Sequence, residues 1–216
     1  MAGSDHAGSS TGQHGRDLLR TELFSDAVLA IALTLLALDL SVSGYETGHL
    51  ADSLGESWPS YVAFLGSFVF IAVMWLNHHA AFMQLRTTTA AFLWANFGVL
   101  LGAVVLPFPT RVLAEALQSS NRADERAAVA LYAGIATLMG LSWTAFWFVI
   151  ARNPKMWSNP DSAEVWQKAL RRSVPGALGY VVAGLLGVLV APEIALVFFI
   201  ALPLWRRRTG ALLARS

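Results

Sequence analysis

Cysteine is absent from all 216 residues. That excludes a disulfide framework, a thiolate metal site and a cysteine nucleophile. Charge is the second scarcity. Only 13 % of the residues are Asp, Glu, Lys or Arg, where a typical soluble domain carries about 25 %. Apolar residues fill the difference, at 56 % of the chain and a mean hydropathy of +0.54. Such a composition belongs to an integral membrane protein. The net charge of +1 says little, and no nucleic-acid partner is expected. In a membrane protein the placement of charge matters more than its sum.

A membrane-spanning helix needs about 20 mostly apolar residues. Six segments read as spans: Leu18–Val42, Pro59–Phe82, Ala90–Leu106, Ala127–Ile150, Val174–Val190 and Pro192–Trp205. An extension of the third past Pro107 and Pro109 to Leu117 stays open, since two prolines remove two backbone donors and kink or end a helix. The fifth and sixth are short and meet at Ala191-Pro192-Glu193, which predicts a tight hairpin. Arg206, Arg207 and Arg208 lengthen the sixth by snorkelling to the interface. The glycines of spans three to five, among them Gly98, Gly102, Gly134, Gly140, Gly184 and Gly187, read as close helix packing.

The basic residues divide unequally. Arg16, Arg20, Arg86, Arg152, Lys155, Lys168, Arg171, Arg172, Arg206, Arg207, Arg208 and Arg215 fall on one side. Only Arg111, Arg122 and Arg126 fall on the other. Cytoplasmic loops carry the excess of Lys and Arg, so both termini are expected in the cytoplasm of a multi-pass cell-membrane protein. An even number of spans agrees with that. Residues 1–15 are rich in Gly, Ser and His and lack an apolar stretch, so they read as a disordered cytoplasmic amino terminus without a cleavable signal peptide. Residues 16–205 form the six-helix membrane domain and 206–216 a basic cytoplasmic tail.

The head of the first span carries the most chemistry. Arg20-Thr-Glu-Leu-Phe24-Ser25-Asp26 places an arginine and an aspartate at a membrane helix, where ionisable groups are costly and mark a functional or network site. Further along, Ile31, Thr34, Leu35 and Leu38 are spaced i, i+3, i+4, i+7 and share one helical face. An apolar stripe with one hydroxyl suggests a pore lining. A bond from Thr34 back to the i−4 carbonyl is the bland reading of that hydroxyl. Asp39 and Glu46 near the outer end of this helix are either a cation-concentrating mouth or a solvated helix end.

Span two ends Met74-Trp75-Leu-Asn77-His78-His79, and span three opens Trp94-Ala-Asn96. These segments lie at the depth of Asp26. The indole of Trp75, the imidazole of His78 and the amide of Asn96 are candidate donors to Asp26 or Ser25. His78 and His79 are adjacent, so they point about 100° apart on a helix and do not suit a shared metal ion. No HExxH motif and no clustered carboxylate accompanies them. No metal and no cofactor is expected.

At these residues the chain resembles the transmembrane protein 175 family of lysosomal and prokaryotic potassium channels. Arg20-x-x-x-Phe24-Ser25-Asp26 with Ile31 and Thr34 is the specific part. Trp75-x-x-His78-His79, Trp94-x-Asn96 and Pro107-Phe108 fit the same pattern. The resemblance implies an all-α polytopic fold with six transmembrane helices per subunit. It implies a homotetramer whose first helices line a central pore, without the TVGYG filter that this sequence also lacks. It implies a hydrophobic constriction at Ile31 with further apolar layers at Leu35 and Leu38. It puts a potassium-preferring threonine layer at Thr34. It makes Arg20, Phe24, Ser25, Asp26, Trp75, His78 and Asn96 a network tying the pore helix to spans two and three. Potassium is then the permeant ion, and the partners are other copies of the chain and membrane lipid.

Three other functions compete. A small secondary transporter would show repeated halves, and none is evident. An enzyme would need a nucleophile, base and orienter at recognisable spacing, which the chain does not offer. A non-conducting membrane scaffold remains consistent with the composition.

Overall fold

The structure is a computed structural model describing residues 5–38, 40, 47–119 and 121–213, with side chains described within residues 15–204. Asp39 and Glu46 lie outside the described residues, as do the side chains of Arg206, Arg207, Arg208 and Arg215. The described chain is almost wholly helical: α1 (Asp5–Leu38), α2 (Leu50–Glu56), α3 (Trp58–Phe82), α4 (Ala90–Val105), α5 (Pro107–Ser119), α6 (Arg122–Arg152), α7 (Ala163–Leu189) and α8 (Pro192–Leu213). α1 reaches back through the Gly/Ser-rich segment that composition assigned to disorder. Once an apolar run has nucleated a helix, extending it adds one bond per residue fixed.

Among the described residues, five stretches are long and apolar enough to cross a membrane: Gly15–Leu38, Trp58–Phe82, Ala90–Ser119, Arg122–Arg152 and Pro160–Leu189. Pro192–Leu204 is a shorter apolar helix. The fifth stretch departs from expectation. α7 begins at Ala163, well before Val174, because Trp166, Ala169 and Ser173 bury one face of its first turns. Lys168, Arg171 and Arg172 occupy the polar face, so an amphipathic segment read as loop is helix. In the third, the prolines act locally. α4 stops at Val105 and α5 restarts at Pro107. The amide of Leu106 still donates to Gly102 (3.1 Å), and that of Thr110 to Leu106 (3.2 Å).

Local signals account for the helix starts. The Thr89 side chain accepts from the amide of Phe92, capping α4. Asn121 accepts from the amides of Ala123 and Asp124, and Asp124 and Glu125 fill the first turn of α6 where the helix dipole favours acids. On the arginine-rich side the α3–α4 and α6–α7 loops are tied. The Arg86 amide donates to the Met156 carbonyl and the Ser158 amide to the Gln84 carbonyl, both at 2.9 Å.

α3 to α8 enclose the core, with α6 against α4, α5 and α7, and α8 against α3 and α7. Helices α6 and α7 approach closely at small residues. A Cβ built on Gly184 would lie 2.5 Å from the Ala133 Cβ, and one on Gly187 would lie 2.6 Å from Val129 and Ala195. Gly184→Ala should therefore lower the melting temperature of the purified protein, by about 2–8 °C for an overpacking penalty of about 1–2 kcal/mol in a chain of this size. An unchanged melting temperature would mean that α6 and α7 separate freely. Gly134 meets nothing within 4 Å, so close packing does not explain that glycine. A buried polar bridge pins three helices: the Ser67 hydroxyl on α3 lies 2.7 Å from that of Thr110 on α5 and 2.9 Å from the Tyr132 hydroxyl on α6.

α1 lies at the edge of this bundle, against α3 and α4 with a small contact to α5. Its most apolar window is 22 % buried, against 39–44 % for the other four long stretches. A helix so apolar and so little covered presents a face to something outside the described chain.

Candidate functional site

α1 divides into two faces. Ser25, Leu29, Ala32 and Leu36, at i, i+4, i+7 and i+11, are sealed against the bundle. Ile31, Thr34, Leu35 and Leu38 lie on the exposed side, with Ile31 57 % and Leu38 76 % accessible. The Thr34 hydroxyl donates to the Ile31 carbonyl at 2.8 Å, an i−3 rather than an i−4 partner. Its one proton is thereby used, and its oxygen lone pairs remain on the exposed side.

Behind this face a chain of hydrogen bonds crosses three helices. The Ser25 hydroxyl donates to the Thr21 carbonyl (2.8 Å), so its oxygen accepts from Asn96 Nδ2 (2.9 Å). The amide oxygen of Asn96 then faces His78 Nε2 at 2.8 Å. An amide oxygen only accepts, so Nε2 carries the proton, and in the neutral imidazole Nδ1 then carries none. His78 Nδ1 has no hydrogen-bond partner. The proton direction therefore runs one way, from His78 on α3 through Asn96 on α4 and Ser25 on α1 to the Thr21 carbonyl. All three side chains are buried, and the bonds of such a chain polarise one another. His78 is packed among Phe82, Trp143 and Phe146.

A second contact lies nearer the surface. Trp75 Nε1 donates to Asp26 Oδ1 at 2.9 Å. The same indole stacks on His79 at 5.5 Å, and His79 Nδ1 lies 3.6 Å from Glu22 Oε1. Phe24 meets the edge of Phe97 on α4 at 6.0 Å. Thus Phe24, Ser25, Asp26, Trp75, His78 and Asn96 all join α1 to α3 or α4. His78 does so only through Asn96, not by direct contact with Asp26 or Ser25. Arg20 does not join. It is exposed and makes no hydrogen bond or ion pair among the described residues.

The Glu22–His79 pair was not foreseen. Its signal was the i, i+4 spacing of Trp75 and His79, which stacks them on one face of α3 beside α1. The Ser67–Thr110–Tyr132 bridge left no signal, since its members sit on three helices far apart in the chain. Among the described residues no group of three His, Asp or Glu side chains gathers as metal ligands would.

A family model described as the endosomal/lysosomal potassium channel TMEM175 matches residues 20–107, the stretch from Arg20 of α1 to Pro107 of α5. A potassium channel of Streptomyces collinus is 37 % identical over 162 residues, 74 % of this chain and 78 % of the relative. A potassium channel of Chamaesiphon minutus is 43 % identical over 131 residues, 59 % of this chain and 63 % of that one. The crystal structure of a lysosomal potassium-selective channel TMEM175 homolog from Chamaesiphon minutus has the same fold. Its TM-score is 0.79 at 32 % identity, over 90 % of this chain and 98 % of that chain.

Proposed function

This chain belongs to the TMEM175 family of potassium channels, and from that premise we propose that it conducts potassium passively across the cell membrane. The observation that carries the reading is the two-faced α1, anchored on one side and bare on the other. The proposed assembly is a homotetramer of six-helix subunits, with four α1 helices around a central axis and residues 16–205 as the channel domain. Both termini, including the 206–216 tail, lie in the cytoplasm, as the distribution of arginines favours.

Two exposed surfaces support self-association. One is the Ile31–Leu38 stripe. The other is an apolar groove of about 570 Å³ between α1 and α4, lined by Phe24, Val28, Trp94, Phe97 and Leu101. With the stripe on the axis, the groove beside it faces the neighbouring copy, and lipid covers the outer helices.

Conduction follows from the stripe. Four Ile31 side chains around a narrow axis exclude water and gate by dewetting, and Leu35 and Leu38 continue the dry neck. Thr34 supplies the polar layer. Because each hydroxyl spends its proton on the Ile31 carbonyl, it can offer only oxygen to an ion. Four such oxygens replace part of a cation's hydration shell, fewer than stacked carbonyl rings do, so selectivity for potassium over sodium is modest.

The test is ion flux into liposomes holding the purified protein, with potassium, sodium and an impermeant cation in parallel. Potassium flux above sodium flux is expected, and no flux of either ion would overturn the reading. Thr34→Val keeps the shape and removes the oxygen. Its bi-ionic reversal potential should move toward zero while current persists. An unchanged reversal potential would remove Thr34 from the selectivity step.

A further inference from the structure

On the far side of α3 from α1, the buried Asn77 is only half satisfied. Its Nδ2 donates to the Val73 carbonyl at 2.9 Å. Its Oδ1 has no hydrogen-bond partner, although the residue is only 8 % exposed. A buried acceptor left without a donor costs about 1–3 kcal/mol, which is a reason to look for what supplies one.

Asn77 lines a pocket between α3, α6, α7 and α8, walled by Trp143, Trp147, Tyr180 and Pro203. Its volume is about 20 Å³, room for one water-sized or hydroxyl-sized group. Arg172 and Ser173 complete the lining, with no acid among the described residues that form it. The Ser173 hydroxyl donates to the Leu170 carbonyl (2.7 Å), so its oxygen too can only accept. Arg172 is exposed and has no hydrogen bond or ion pair among the described residues. Arg171 beside it and Lys168 one turn earlier make this end of α7 cationic. The pocket thus combines the Asn77 and Ser173 acceptors and the Tyr180 hydroxyl inside with a cation, unpaired among the described residues, at its edge. A lone water would answer Asn77 and leave Arg172 unanswered.

We propose that this pocket holds the headgroup of an anionic phospholipid from the arginine-rich leaflet, a headgroup hydroxyl donating to Asn77 Oδ1 and the phosphate resting on Arg172. The site rests on the membrane-embedded reading given above, and with α1 on the central axis it faces lipid. Basic pockets between transmembrane helices take anionic headgroups by this combination of charge and hydrogen bonding.

Three lipids separate the two contacts. Phosphatidylglycerol has a net negative phosphodiester and free hydroxyls, phosphatidylmethanol the same charge without hydroxyls, and phosphatidylcholine neither. Each is offered to the detergent-purified protein, and bound lipid is counted by native mass spectrometry. The wild type should retain them in that order. Arg172→Gln should weaken both anionic lipids about tenfold, as loss of a charge-assisted hydrogen bond implies. Asn77→Leu should erase the difference between phosphatidylglycerol and phosphatidylmethanol and keep the preference of both over phosphatidylcholine. Equal retention of the three by the wild type, as for a pocket holding water only, would overturn the proposal, and that comparison needs no variant to fold. Unchanged binding by a folded Arg172→Gln would also overturn it. The readout is binding, so a protein that proved not to conduct would still answer the question.

Discussion

Ile31→Asn is expected to raise potassium flux through the reconstituted protein by at least about tenfold. Ile31 is 57 % exposed in the subunit, so little of its side chain supports the bundle and the substitution leaves the fold intact. In the proposed assembly it closes the neck. A narrow apolar ring holds no continuous water, and the barrier to an ion is that of shedding hydration with nothing in return. An amide differs from an apolar group by about 1–3 kcal/mol in its preference for a wet environment, and four act together. Each 1.36 kcal/mol removed from a barrier is tenfold in rate. Ile31→Val, which stays apolar, should change flux far less. The measurement is flux or single-channel current in liposomes, with melting temperature as the control on folding. Equal flux in wild type and Ile31→Asn would place Ile31 away from the ion path.

Asn96→Leu should produce the largest loss of stability, about 2 kcal/mol. Asn96 spends its amide on Ser25 and its carbonyl on His78, so one substitution breaks both bonds. It also leaves two buried partners unpaired, the Ser25 oxygen and the His78 Nε2 proton. Orphaned buried groups cost about 1–3 kcal/mol each. Interhelical hydrogen bonds in membranes measure nearer 0.6 kcal/mol on average, because a membrane-inserted unfolded state finds other partners. The expected total lies between those limits. In a chain of this length it lowers the melting temperature by about 4–8 °C. Trp75→Phe removes one bond, to Asp26, from an indole that is 37 % exposed, and should have less than half the effect. A melting temperature for Asn96→Leu within a degree of wild type would mean that the buried chain does not anchor α1.

Much of this molecule was legible in its sequence because the membrane enforces simple rules. Scarce charge and long apolar runs announce helices, since backbone groups in lipid must pair within a helix or a closed barrel, and runs of about 20 apolar residues suit the helix. The Arg20–Asp26 motif and the 3.6-residue period pointed to α1 as the helix with chemistry, and the stripe lies on its exposed side. The fifth helix was misread at its start because half of its first turns is polar. A hydropathy reading sees Lys168, Arg171 and Arg172, and only the packing of Trp166 and Ala169 reveals the buried face.

The partners in the polar cluster were not legible to the atom. Spacing placed Trp75, His78 and Asn96 at the right depth, because depth follows from counting residues along spans of known direction. Which donor meets which acceptor depends on helix rotation and crossing, and these are set by side-chain packing between segments far apart in the chain. That packing gave Asp26 to Trp75, put Asn96 between Ser25 and His78, paired His79 with Glu22 and left Arg20 outside. It also brought Asn77 and Arg172 to one pocket. The sequence by itself determined membrane residence and most of the apolar helices, and it singled out α1 as the helix with the polar motif, all properties of local composition and period. Only the tertiary structure decided the polar pairings and which face of α1 is bare, because those depend on contacts that no single segment encodes.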